Sequence, residues 1–248
     1  MVLLGIDTEG GGLELEYSLL TLNMVVYNDQ FKKLSELDLK LKPDDGMYKV
    51  NAEALEINRI DLVEHSRTAI TYKSSKTVIY NWLNEMYNTY GLMTPFGQAI
   101  QRDVDLIHYY TLSKNTWQNF VDRRCIDTVS ISKFLQLIGK LDSDQSLSLS
   151  NLAEYLGVEI DEHLVHTAAY DVELGAELLK KQIKLEKKCE SDDAYLCKLV
   201  SVRKSQWNYK WGFITLRMEI CWMIIGLIIL SNILQTGLIK RMIQLSIK

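Results

Sequence analysis

The chain has 248 residues, 47% of them hydrophobic and 24% charged, with 28 basic against 32 acidic side chains and a formal net charge of -4. These values exclude a largely disordered chain and support one α/β domain with a substantial core plus a smaller extra segment. They also exclude a global positive field that would gather long duplex nucleic acid, without barring a local groove.

Residues 2–7 form a short apolar run that ends in Asp7-Thr8-Glu9 and three glycines, the pattern of a buried strand entering a sharp turn. Residues 19–27 (LLTLNMVVY) and 31–42 flank the turn-forming Asn28-Asp29-Gln30 and read as an antiparallel hairpin. In the second strand Leu34, Leu37, Leu39 and Leu41 stand among polar neighbours and Pro43 ends the run, so one of its faces is expected to be wet. From 51 to 90 the spacing becomes helical, and Ile79, Leu83, Met86 and Tyr90 make an i, i+4, i+7, i+11 stripe. Residues 92–98 (LMTPFGQ) predict a strand, and 104–112 a helix. A second strand-to-helix step covers 125–141, with Asp127-Thr128 as turn and cap. Residues 148–156 predict a short helix ended by Gly157, and 169–188 a longer one with Leu174, Leu178, Leu179 and Ile183 on its apolar side. Hairpinned strands followed by alternating strands and helices imply an α/β fold, a mixed sheet of five strands flanked by helices.

Composition shifts near residue 190, giving an expected domain at 1–190, a polar linker at 191–216 and an apolar tail at 217–248. The run that begins at Cys221 and ends at Ile239 carries no charge over nineteen residues, close to the length that spans a hydrocarbon core as a helix. Trp207, Trp211 and Trp222 precede or begin it, and Lys240 and Arg241 follow, as interfacial anchors would. Ser231, Asn232, Gln235 and Thr236 count against insertion, so membrane contact through this run stands beside a helix buried on the domain or in a partner. Cys125, Cys189, Cys197 and Cys221 show no metal-site spacing and read as reduced thiols. The N-terminal MVLLGIDTEGGG lacks a signal-peptide pattern, so an intracellular, cytoplasmic setting is expected, tail-anchored if the apolar run inserts.

Two constellations carry chemistry. Asp7 and Glu9 are one residue apart, so on a strand both carboxylates leave the same face, where they repel unless a cation neutralises them. Hard oxygen donors of this kind favour Mg²⁺ or Mn²⁺. Taken alone, the pair also fits a solvated strand edge. His166 stands five residues before Asp171 at the start of the last long helix, so a loop imidazole can approach whatever the carboxylate holds. Taken alone, this pair also fits a surface histidine and a helix-capping acid.

The order DTEGGGL, GQAIQRDVDLI, CIDTVSISKFL and LSNLAEYLGVEIDEHLVHTAAYDVELGAELL resembles the DEDDh exonucleases of the ribonuclease H-like fold, the group of the polymerase proofreading subunit, ribonuclease T and oligoribonuclease. The resemblance covers about three quarters of the chain, 2–188. It implies a 3′-to-5′ exonuclease that releases 5′-mononucleotides from single-stranded DNA or RNA 3′ ends. It also implies that Asp7, Glu9, Asp103 and Asp171 hold two divalent cations, Mg²⁺ or Mn²⁺, with His166 as general base. Gly12 and Leu13 fall on the substrate-binding places of the first motif, Leu13 either packing on terminal bases or filling the core. Gly10 and Gly11 replace hydroxyl residues and are expected to loosen the turn. Asp103 follows Gly97 at the family spacing, with Asp105 as rival, while Gln98, Ala99 and Arg102 depart from the pattern. His166, Ala168 and Asp171 reproduce the last motif, whereas His65, His108 and His163 have no such frame. The family includes dimers, so a homodimer is a further expectation. The competing reading is a catalytically inactive nucleic-acid-binding or interaction module of the same fold.

Overall fold

The computed structural model describes residues 1–187. The expected linker, the apolar run at 221–239 and Cys189, Cys197 and Cys221 lie outside the described residues. Strand β1 (Val2–Gly10) is central because its alternation is apolar on both faces until the acidic end is reached. It pairs antiparallel with β2 (Leu19–Tyr27), and β2 pairs antiparallel with β3 (Lys33–Lys42), in the order the hairpin pattern predicts. On β3 the leucines turn inward while Glu36, Asp38 and Lys40 are exposed, which gives the expected wet face.

The stretch read as helical from 51 to 90 is three helices. Helix α1 (Ala52–Asn58) is capped by Asn51, and α2 (Leu62–Thr68) by Asp61, whose side chains accept from the first-turn N–H groups. Then β4 (Ile70–Thr71) adds parallel to β3, and α3 (Tyr72–Tyr90) follows at once. A two-residue strand has no alternation to read, so the expected five strands are six, ordered β4-β3-β2-β1-β5-β6. Strand β5 (Met93–Gly97) lies parallel to β1, and α4 (Gln101–Tyr110) and the short α5 (Lys114–Trp117) follow it. Strand β6 (Ile126–Asp127) runs parallel to β5, and Asp127 caps α6 (Thr128–Leu137) by accepting from Val129 and Ser130 N–H. Helices α7 (Leu149–Tyr155) and α8 (Ala168–Lys187) complete the described residues.

The central strands β1 and β2 are buried on both faces. Leu4, Ile6, Leu22, Met24 and Val26 pack against Ile79, Leu83 and Met86 of α3 and Leu106 and Ile107 of α4. On the other face Leu3, Val25, Tyr27 and Phe96 meet Val172, Ala176 and Leu179 of α8, and Leu135, Leu152 and Leu178 join α6, α7 and α8. Two stripe residues depart from expectation. Tyr90 and Ile183 end their stripes exposed: Tyr90 is the last residue of its helix, and Ile183 turns outward while its neighbour Gln182 is buried and Leu185 packs on the core. Among the described residues no helix is long and apolar enough to cross a membrane.

Gly5 decides how closely α8 approaches the sheet. A Cβ there would stand 2.8 Å from Val172 Cγ1 and 2.9 Å from the Phe96 ring, both inside van der Waals contact. Val172 follows Asp171 directly, so this close approach brings the Asp171 end of α8 toward the acidic end of β1.

Candidate active site

Strand alternation puts Asp7 and Glu9 on the face of Leu3 and Gly5, the face that α8 covers. Asp171 stands in the first turn of α8, its N–H donating to Thr167 O at 2.9 Å. Carboxylate oxygens of Asp7, Glu9 and Asp171 lie within 4.8 Å of one another, and all three residues are partly buried. Burial, then the charges of Asp103, Glu9 and Asp171, push the Asp7 carboxyl well above its ordinary range. Burial, then the charges of Asp171 and Asp103, raise Glu9 to about 8, against the opposing charge of Arg102. Burial raises Asp171 to about 6, opposed by the charge of His166 and by a backbone hydrogen bond from that residue. Asp171 Oδ1 is buried and has no hydrogen-bond partner among the described residues. Hard oxygen donors, mutual repulsion and an orphaned buried oxygen together fit a divalent cation, with Asp7, Glu9 and Asp171 as its holders.

Asp103 reaches this centre by a different route. Thr8, the middle residue of Asp-x-Glu, points to the opposite face and donates from Oγ1 to Asp103 Oδ1 at 2.6 Å. Asp103 lies in the first turn of α4 and is 5% exposed. Burial raises it to about 7, against the lowering effect of the Thr8 hydrogen bond and Arg102. It contributes charge to Asp7 and Glu9 without joining the set of three mutually close oxygens. Asp105, two residues on and therefore on another side of the helix, accepts from Gln101 Nε2 at 2.9 Å and lines an open groove instead.

That groove, about 800 Å³, runs beside the first-motif loop and is lined by Leu13, Glu14, Leu15, Arg102, Asp105 and Tyr109 among others. Leu13 is 80% exposed, which overturns the reading of it as a core leucine. Gly12 is buried, and a Cβ there would stand 2.5 Å from the Tyr17 ring. The loop itself is held, contrary to the expectation that glycines would loosen it. Gly11 N–H donates to Ser18 O at 2.8 Å, and Gly11 O accepts from Asn51 N–H at 2.7 Å. A Cβ on Gly11 would meet Lys49 O at 2.6 Å, so glycine here permits close packing and not slack. Arg102 completes the tie by donating from Nη2 to Gly12 O at 2.6 Å.

His166 is exposed, on the loop before α8, with a left-handed backbone at φ 67. An L-residue adopts this conformation at a cost, and it turns the chain sharply into the helix that carries Asp171. Gln98 faces away from the carboxylates: its Nε2 donates to Leu147 O at 2.6 Å and its Oε1 accepts from Thr128. Ala99 N–H donates to the capping Asp127. His65 is a packing residue, buried and bonded to Tyr48 and to Leu20 O. His108 bonds Leu112 O, and His163 is exposed.

Sequence reading gave Thr8 no role and took Arg102 only as a departure from the family pattern, not as the tie to Gly12 O. Strand alternation signals that Thr8 faces away from its acidic neighbours, but nothing local points it at Asp103, 95 positions distant.

No protein-family model matches the sequence, and no curated protein sequence matches it. Solved structures do match. Exonuclease I of E. coli in complex with a dT13 oligonucleotide is 17% identical over 77% of this chain and 42% of its own, with a TM-score of 0.59. A moderately thermophilic exonuclease I from Methylocaldum szegediense is 16% identical over 81% and 43%, with a TM-score of 0.58. Cell-death related nuclease 4 is 17% identical over 74% and 64%, with a TM-score of 0.54. The chain thus spans less than half the length of both exonuclease I structures. What it shares with all three is the fold, a mixed α/β sheet flanked by helices.

Proposed function

We propose that the chain is a metal-dependent 3′-to-5′ exonuclease that removes 5′-mononucleotides from single-stranded nucleic-acid ends. The observation that carries this reading is the convergence of Asp7, Glu9 and Asp171 from β1 and α8 onto one point, with Asp171 Oδ1 left without a partner. Asp7, Glu9, Asp171 and Asp103 would hold two divalent cations, Mg²⁺ or Mn²⁺. When bound, these supply positive charge that offsets the build-up of negative charge on the phosphate.

The remaining steps belong to the chain. His166, exposed on the loop beside Asp171, takes the proton of the attacking water on an imidazole nitrogen. Attack forms a new P–O bond and breaks the bond to the 3′ oxygen, which takes a proton from solvent water and leaves as the new 3′ hydroxyl, while the proton on His166 returns to solvent. Leu13, exposed on the groove, offers an apolar surface to the terminal base, and Arg102 fixes the loop that presents it by binding Gly12 O. The close set of Asp7, Glu9 and Asp171 with an orphaned Asp171 oxygen supports a catalytic reading over a binding-only module.

The single-stranded oligonucleotide held by E. coli exonuclease I makes single-stranded DNA the first substrate to test, with RNA as the second arm. Purified full-length protein is incubated with 5′-labelled DNA or RNA in Mg²⁺, Mn²⁺ or EDTA. A ladder receding from the 3′ end with either cation is expected. Degradation from the 5′ end, or cleavage undiminished in EDTA, overturns the proposal.

A further inference from the structure

Strand register brings two more polar residues to the carboxylates. Asn23 of β2 lies opposite Asp7, and Thr21 lies opposite Glu9. Directly paired residues of antiparallel strands project from the same face, so both share the face of the acids. Asn23 is fully buried. Its Nδ2 donates to Glu36 Oε1 at 3.0 Å and to Asp38 Oδ1 at 3.3 Å, both on β3. Two carboxylates on that side fix the amide orientation, because the reversed amide would turn its oxygen toward two negative charges. Oδ1, the other branch of an amide whose residue lies opposite Asp7, is buried and without a hydrogen-bond partner among the described residues. Thr21 Oγ1 is buried and partnerless in the same way. A buried amide oxygen without a donor is uncommon and unfavourable, so its retention beside Asp7 calls for a ligand that brings a donor.

We propose that Asn23 is a positioning residue of the carboxylate site, its Oδ1 serving as an accessory acceptor for the hydrated divalent cation held by Asp7, Glu9 and Asp171. This rests on the cation-binding part of the function proposed above. The β3 carboxylates aim the amide, and the amide in turn orients the hydration of the cation, as outer partners do at metal sites.

The test is titration of the full-length protein with Mn²⁺ alone, followed by calorimetry, for wild type, Asn23→Val and Asn23→Thr. Valine and threonine have nearly the same shape and suit a strand, but only threonine keeps an oxygen acceptor. Asn23→Val is expected to weaken Mn²⁺ binding about 10-fold, the usual scale for losing an outer partner, and Asn23→Thr to recover part of the loss. Circular dichroism establishes that each variant is folded. If Asn23→Val does not fold, Asn23→Leu, close to asparagine in volume, replaces it as the apolar variant. Equal affinities for the apolar and threonine variants overturn the proposal and leave the nuclease reading intact. A wild-type protein that binds no Mn²⁺ overturns both.

Discussion

The close approach between sheet and helix at Gly5 yields a quantitative prediction for Gly5→Ala. The added Cβ would stand 2.8 Å from Val172 Cγ1 and 2.9 Å from Phe96 Cζ. Carbon atoms pack best at about 3.5 to 4.0 Å, so the neighbours must retreat by roughly 0.7 Å or more. Overpacking of this kind costs about 1–3 kcal/mol. Loss of glycine's freedom in the unfolded chain returns about 0.5–1 kcal/mol, leaving a net destabilisation between about 0 and 2.5 kcal/mol. The effect on function should be larger, because Val172 is the next residue after Asp171 and a displaced helix carries the carboxylate with it. A misplacement of about 1 Å in a reacting constellation lowers rates by about 10²-fold. Gly5→Ala is therefore expected to unfold at slightly lower urea while cleaving labelled single strands about 10- to 100-fold more slowly. Val172→Ala removes Cγ1 and should restore much of the lost rate in the double variant, a coupling that a double-mutant cycle measures. Wild-type rate and stability in Gly5→Ala, or strictly additive effects with Val172→Ala, would refute the claim that this contact places Asp171.

Three further outcomes are expected. Asp103→Asn keeps an oxygen for the Thr8 hydroxyl but loses the charge, and should cut cleavage at least about 10-fold, whereas Asp105→Asn leaves it near wild type; the reverse ranking in steady-state rates would transfer the role to the groove residue. His166→Ala should lower kcat by about 10²-fold while the circular dichroism spectrum stays unchanged, and wild-type kcat would remove it as the base. For pH, the folded state holds Glu9 to about 8, Asp103 to about 7 and Asp171 to about 6, all above ordinary carboxylate values. Between about pH 4 and 8 the folded chain thus binds more protons than the unfolded chain, so stability is present at the acid end and is lost as pH rises. Chelated protein should show a thermal midpoint that falls across this window, and added Mn²⁺ should raise it more at the alkaline end; a midpoint that rises with pH in EDTA would contradict this.

Much of the fold was legible in the chain itself. Burial on both faces of β1 and β2, the alternation of β3, and the Asp127 cap of α6 are local patterns, and each element forms where its pattern stands. The stripe Ile79, Leu83 and Met86 faces the core as its spacing predicts. Spacing also placed Asp7 and Glu9 on one face and Asp171 at a helix start, and these three do converge. The two-residue β4 was not legible, because it exists only by pairing with β3. Nor was the role of Arg102, which acts on Gly12 from 90 positions away.

Local periodicity therefore determined which elements form and which face each acid takes, since backbone geometry repeats every two or 3.6 residues whatever lies beyond. Tertiary packing alone decided that Asp103 and not Asp105 turns to Thr8, that the glycines of the first motif are wedged instead of loose, and that Leu13 is exposed. Each of those outcomes depends on atoms from distant segments meeting within a few ångströms, and residue spacing along the chain carries no record of that distance.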